Sequence, residues 1–175
     1  SYSYSYSYSE ESSGNDNNRL QRASPGFLEF NKCEIYNNSA IYGGVAMLEA
    51  SPGRNEMSGI ISINSTFSDN VADVGGGTFY VQSHGKVSML DSEIRGGKAG
   101  SSHGGGIMGN EDSHLLLRNS SIHNCKAAGM GGGVFNNGTV NLVATKINEN
   151  KAITGGGLFA YNVANKTTDQ VRKEY

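Results

Sequence analysis

Phe67-Ser-Asp-Asn70, running on through Val71-Ala-Asp-Val74 to the glycine triplet Gly75-Gly-Gly77 and then Thr78-Phe-Tyr-Val81, is the stretch on which the fold turns. Its outline returns along the chain. The matching segments open Cys33-Glu-Ile-Tyr-Asn-Asn-Ser-Ala, Ser65-Thr-Phe-Ser-Asp-Asn-Val-Ala, Ser92-Glu-Ile-Arg-Gly-Gly-Lys-Ala, Ser120-Ser-Ile-His-Asn-Cys-Lys-Ala and Thr145-Lys-Ile-Asn-Glu-Asn-Lys-Ala. Their apolar anchors Ile35, Phe67, Ile94, Ile122 and Ile147 lie 32, 27, 28 and 25 residues apart, and a glycine cluster follows each one. Short apolar runs flank every copy, such as Ile60-Ile-Ser-Ile63 before an anchor and Val134-Phe135 after the glycines. No segment sustains a helical period. Short strands and glycine turns at this spacing predict an all-β chain, a parallel β-helix of about five coils in which each coil buries its apolar side chains only when its neighbours stack on it.

Stacking assigns roles to the recurring residues. Glycine clusters allow positive φ and close backbone approach at a corner. Ala40, Ala72, Ala99 and Ala152 read as small inward residues in one register, and Asn38, Asn70 and Asn150 as a column of corner amides, with Gly97 and Cys125 at the same position in the other copies. The FxxN and GGxx pattern, complete in Phe67-Ser-Asp-Asn70 and Gly75-Gly-Gly-Thr78 and varied in Ile35-Tyr-Asn-Asn38 and Gly43-Gly-Val-Ala46, resembles the repeats of the polymorphic membrane protein family over about residues 33–161. That resemblance implies a right-handed, pectin-lyase-like β-helix used for surface display and adhesion. Most copies here read Gly-Gly-Gly where the family has Gly-Gly-Ala, and no barrel-forming segment follows.

The chain divides into an extended Ser/Tyr-rich segment (1–25), the β-helix (26–166) and a polar tail (167–175). Strict Ser-Tyr alternation places Tyr2, Tyr4, Tyr6 and Tyr8 on one face when extended. Uncapped solenoid ends invite pairing with another chain, so these tyrosines are expected to serve assembly, either capping their own first coil or adding to a neighbour; head-to-tail repetition of such a contact builds a filament. The start lacks the regions of a signal peptide, and the chain reads as a mature form or a fragment.

Of 175 residues, 25 are glycine, and 14 basic residues against 16 acidic give a net charge of -2. A nucleic-acid partner, which needs a basic face, is not expected, nor is membrane insertion, for no apolar run approaches about 20 residues. Five N-x-[ST] sequons, at Asn37, Asn64, Asn119, Asn137 and Asn165, are candidate glycosylation sites; Asn37, facing out beside the ladder, and Asn137, in a turn, are the best placed. Asp69, Asp73, Asp91, Glu93, Glu111 and Asp112 are scattered, with Glu111-Asp112 in a loop, and no pair recurs at one register to form a carboxylate cleft. His84, His103, His114 and His123 lack metal-ligand spacing, and His103 reads as a turn residue. Neither a catalytic role nor a cofactor or metal is expected. Cys33 and Cys125 fall three coils apart, roughly 14 Å at the strand spacing, too far for a disulfide.

These readings converge on a non-enzymatic, extracellular structural or adhesive protein that is glycosylated and associates end to end. The competing expectation is a carbohydrate-binding or polysaccharide-degrading domain, for which Tyr36, Tyr42, Tyr80 and Tyr161 would line a groove for surface glycans.

Overall fold

The computed structural model describes residues 26–49 and 58–161, and among them every regular element is a β-strand. The expectations for Tyr2, Tyr4, Tyr6 and Tyr8, for Asn165 and for segments 1–25 and 167–175 fall outside these residues. The strands wind as a parallel β-solenoid. Its first level holds β1 (Phe27–Asn31), β2 (Glu34–Tyr36), β3 (Ser39–Tyr42) and β4 (Ala46–Leu48), and its second β5 (Gly59–Ile63), β6 (Thr66–Ser68), β7 (Val71–Gly75) and β8 (Phe79–Val81). Above them come β9 (Lys86–Leu90), β10 (Glu93–Arg95), β11 (Lys98–Ala99), β12 (Ile107–Arg118), β13 (Ser121–His123), β14 (Lys126–Ala127), β15 (Val134–Val143), β16 (Lys146–Asn148) and β17 (Leu158–Ala160). They stack as sheets of eight, five and four strands. The five motifs are therefore five levels of one stack joined by about four turns, slightly fewer than the five coils expected, because four steps connect β2 to β16.

Register turns the repeat into columns. Ile35, Phe67, Ile94, Ile122 and Ile147 pair in sequence across β2, β6, β10, β13 and β16. Phe67, Ile94 and Ile122 are fully buried, each shielded by the levels on either side, which is where the apolar driving force lies. Ala40, Ala72, Ala99 and Ala127 form a second column, and the Lys126 to Lys151 bridge carries it to Ala152. The half-buried members of the core, among them Leu28, Ile35, Leu48, Val140, Ile147 and Leu158, belong to the first and last levels.

Each level bends at three corners, and each bend is a residue at positive φ. The first corner holds Lys32, Asn64, Asp91, Asn119 and Ala144; the second holds Asn37, Asp69, Gly96, Asn124 and Glu149. Asn and Asp recur there because their short polar side chains tolerate the left-handed region at least cost. Glycine takes the third corner throughout, as at Gly104 with φ 64. A Cβ on Gly104 would lie 2.2 Å from the Ile107 carbonyl oxygen, so only glycine fits that turn.

Side chains lock one level to the next beside the corners. Ser65 Oγ donates to the Ile63 carbonyl at 2.9 Å and accepts the Cys33 N–H at 3.0 Å. Ser92 repeats this with the Leu90 carbonyl and the Ser65 N–H, and Ser120 with the Arg118 carbonyl and the Ser92 N–H. Cys33 ends this hydroxyl ladder, its thiol donating to the Asn31 carbonyl. At the second corner Asn70 Oδ1 accepts the Asn38 N–H while its Nδ2 donates to the Ile35 carbonyl, and Asn150 clamps Cys125 and Ile122 in the same way. The amide column thus bonds mostly to the backbone of the level below, which satisfies groups that a corner would otherwise strand.

Two local expectations are corrected. Glu111-Asp112, read as a loop, lies inside β12, where the register shifts between Gly109 and Ser113 and Asp112 turns left-handed at φ 54. Asn137, read as a turn, lies inside β15 opposite that shift. In both cases the apolar residues on either side pair continuously with their neighbours, and the extra residues are absorbed as a bulge. Thr78 Oγ1 is buried with no hydrogen-bond partner among the described residues, whereas Val45 holds the same position one level below, with Ala46 paired to Phe79 beside it. Removing an unsatisfied hydroxyl without changing shape relieves its desolvation cost, so Thr78→Val is expected to stabilise the fold by about 1 kcal/mol, read as a higher urea midpoint at unchanged slope.

Candidate functional site

Strand alternation sends the anchor side chains inward and turns their neighbours to solvent. On the sheet formed by β2, β6, β10, β13 and β16 the outward residue before each anchor is Glu34, Thr66, Glu93, Ser121 or Lys146, paired in that order. Beside this column stands the first corner, whose bends carry Asn64, Asp91, Asn119 and Ala144 outward. Between the two columns runs an open, polar groove of about 500 Å³, lined by all of these residues except Glu34, with Ser92 and Ser120 at its floor.

Asp91 and Glu93 both line this groove, a juxtaposition that the reading of scattered acids missed. They come from a single coil. Above and below them the two columns hold Asn64 and Asn119, and Thr66 and Ser121, so the carboxylates are not repeated along the stack. Asn119 Nδ2 donates to Asp91 Oδ1, and Glu93 Oε1 meets His123 Nε2 at 2.6 Å. His123 Nδ1 lies 2.9 Å from Asn124 Nδ2. The signal for the Glu93 and His123 pair was in the sequence: one precedes its anchor and the other follows the next, so both point outward on consecutive coils.

Three of the sequon asparagines are corner residues. Asn37, Asn64 and Asn119 have φ 57, 48 and 48, and all three are exposed. Asn64 and Asn119 belong to the groove itself. Asn137 is half-buried, and its Oδ1 is enclosed without a partner among the described residues.

Compared with family models, curated proteins and solved structures, the chain matches none.

Of the tyrosines expected to line a glycan-binding groove, Tyr42 and Tyr80 meet, with ring centroids 4.9 Å apart, and Asn110 Nδ2 donates to Tyr80 Oη. Tyr36 projects from a different sheet, on β2, and Tyr161 follows β17 at the end of the stack. Another aromatic file went unread in the sequence: His103 stacks on Phe135 at 4.6 Å and Phe135 on Phe159 at 5.7 Å. His103 Nδ1 accepts the Met130 N–H, and burial holds this imidazole below the ordinary histidine value. His103 is thus a neutral corner residue closing over the stack, next to the Gly104 turn as expected.

Both cysteines are free thiols. Cys33 lies just before β2 and Cys125 just after β13, so three levels and two different corners separate them. Among the described residues no group of three or more His, Cys, Asp and Glu side chains could hold a metal ion, and no helix is long and apolar enough to cross a membrane.

Proposed function

We propose that this chain is an extracellular structural or adhesive scaffold that associates end to end into a fibre, with its sequons glycosylated. The observation that carries this reading is the state of the two ends. Among the described residues, no strand pairs with the outer edge of β1, β2 or β3 at one end, or of β16 and β17 at the other. Apolar side chains accompany these open edges, with Ile41 62% exposed at the first level and Ile153 86% exposed at the last. Unpaired parallel ladders with apolar flanks are templates for another chain, and a contact between unlike ends propagates.

Glycosylation has its own support. The corner explains Asn64 and Asn119, and the hydroxyl ladder explains Ser65 and Ser120, but neither requires the hydroxyls that complete the sequons, Thr66 and Ser121. That outward column holds Glu34, Glu93 and Lys146 elsewhere, so the hydroxyls answer to something other than packing. Asn37, Asn64 and Asn119 are the favoured sites, and the half-buried Asn137 is not. The motif resemblance to polymorphic membrane protein repeats agrees with a surface role.

The groove supports a second reading, glycan recognition, since Asp91, Glu93, Thr66 and Ser121 offer convergent acceptors and donors. The two readings compete for the same space, because a glycan on Asn64 or Asn119 would occupy it. Negative-stain electron microscopy over a concentration series tests the first. Filaments that lengthen with concentration are the expected result, and discrete particles at every concentration would turn the function toward the groove.

A further inference from the structure

We infer that a second copy of this chain stacks on the last level in the register that the solenoid already uses internally, placing β1 and β2 of one molecule on β15 and β16 of the next. This rests on the end-to-end reading above and specifies its seam. The register is fixed by extending the observed pairings one step. Leu28 pairs with Ile60, Ile60 with Val87, Val87 with Leu115 and Leu115 with Val140, so the next residue over Val140 is Leu28 of the incoming copy. The same step sets Phe30 over Leu142, Ile35 over Ile147 and Glu34 over Lys146.

The apolar contacts repeat a chemistry found inside the stack. Leu28, Ile35, Val140 and Ile147 are the half-buried members of their core columns, and Leu142 is 38% exposed where Leu117 below it is fully buried. Stacking completes all of these columns at once. Charge agrees, since Glu34 and Lys146 are both exposed and of opposite sign; opposite charges directly across a ladder stabilise it and like charges do the reverse. The corner amides agree too. Asn70 and Asn150 each accept an N–H from the level below and donate to a carbonyl there; Asn38 holds the same register, and its amide, which in the single chain donates to the Tyr36 carbonyl and to Asn70 Oδ1, would turn to the Asn150 N–H and the Ile147 carbonyl of the copy beneath. A slip by one residue would turn the apolar columns to solvent, and no other register keeps the charge pair and the amide clamp together.

Cys33 makes the seam measurable. It ends the hydroxyl ladder at the first level, and in the proposed register it sits over Thr145 of the adjoining copy. Neighbouring strands lie about 4.8 Å apart, within the Cα separation a disulfide accepts, whereas Cys33 and residue 145 of one molecule are four levels apart, roughly 19 Å. Thr145→Cys places a thiol where Cys33 shows that a thiol fits. On treating the full chain with a mild thiol oxidant, two thiols lose two electrons and two protons to the oxidant and one Sγ–Sγ bond forms between molecules. The expected result is a ladder of dimers, trimers and higher species on a non-reducing gel, abolished by adding Cys33→Ser and absent from the unsubstituted chain. In parallel, Lys146→Glu is expected to weaken association roughly tenfold and Glu34→Lys to restore it in the double variant, with thermal unfolding of the separate chains unchanged. Filaments that form without the cross-link would overturn the seam and leave end-to-end association standing. A chain that neither assembles nor cross-links would overturn both, and is the outcome if residues 1–25 or 162–175 of the same molecule cover the ends.

Discussion

Gly105→Ala is expected to destabilise the solenoid by on the order of 4 kcal/mol or more, enough to consume most of the stability of a domain this size. Conformational freedom is not the reason, since Gly105 is not among the glycines at positive φ. Space is the reason. A Cβ there would lie 2.2 Å from the Gly132 carbonyl oxygen and 2.6 Å from both the nitrogen and the carbonyl carbon of Lys126. All three are backbone atoms of the next level, so no rotamer change relieves the overlap, and separating the levels would break the Gly105 N–H bond to the Gly131 carbonyl. The control is Gly26→Ala, whose added Cβ meets nothing within 4 Å and whose effect should stay within about 0.5 kcal/mol. Urea denaturation of the pair reads the difference directly. Equal midpoints would mean that the levels at the glycine corner stand further apart than the ladder bonds require.

This corner also shows what the sequence discloses and what it withholds. Recurrence of Ile35, Phe67, Ile94, Ile122 and Ile147 before glycine clusters discloses the columns, because a side chain buried by stacking has to recur once per turn. The corners at Asn64 and Asn119 went unread, although the left-handed region narrows the choice of residue there. The end of the count was also hard to read, since a motif marks a level and not a completed turn. The long strands β12 and β15 were hidden because polar residues such as Asn110-Glu111-Asp112 look like a loop, while the pairing that absorbs them lies 25 to 28 residues away, as in Ser113 with Gly138 and His114 with Lys86.

The candidate site was harder to read than the fold. Asp91 and Glu93 are close in sequence, yet nothing local says that both face one groove; that follows from Asp91 being a bend and Glu93 an outward strand position. Glu93 and His123 meet only because consecutive coils lie one strand spacing apart. Outward positions are under weaker packing constraint than inward ones, so they carry no period to detect. Thr66 and Ser121 are the exception, since a hydroxyl repeated in an otherwise variable column is visible once the register is known.

Cys125→Ala is expected to be less stable than the unsubstituted chain at neutral pH and more stable above about pH 10.5. Burial pushes the Cys125 thiol from 9.0 up to about 12; a backbone hydrogen bond with Gly97 works against the rise, and the Asp69 carboxylate adds to it. The folded state therefore keeps its proton where the unfolded chain has lost it. With the folded value above the unfolded one, this contribution is fully present below pH 9 and disappears as pH climbs through the folded value. Stability attributable to this group falls at about 1.4 kcal/mol per pH unit through that window, or roughly 4 kcal/mol by pH 12. At pH 7 the thiol fills space in the core, where it is 1% exposed, and donates to the His123 carbonyl, so its truncation costs about 1–2 kcal/mol. The two curves therefore cross between about pH 9.6 and about pH 10.5. Tyrosine and lysine titrations are common to both proteins and cancel in the difference, which is why the comparison isolates Cys125. Urea unfolding of both chains at intervals from pH 7 to pH 11 supplies the curves. Parallel curves would mean that the thiol ionises in the folded stack as readily as in water, and hence that the core between the third and fourth levels opens to solvent without unfolding.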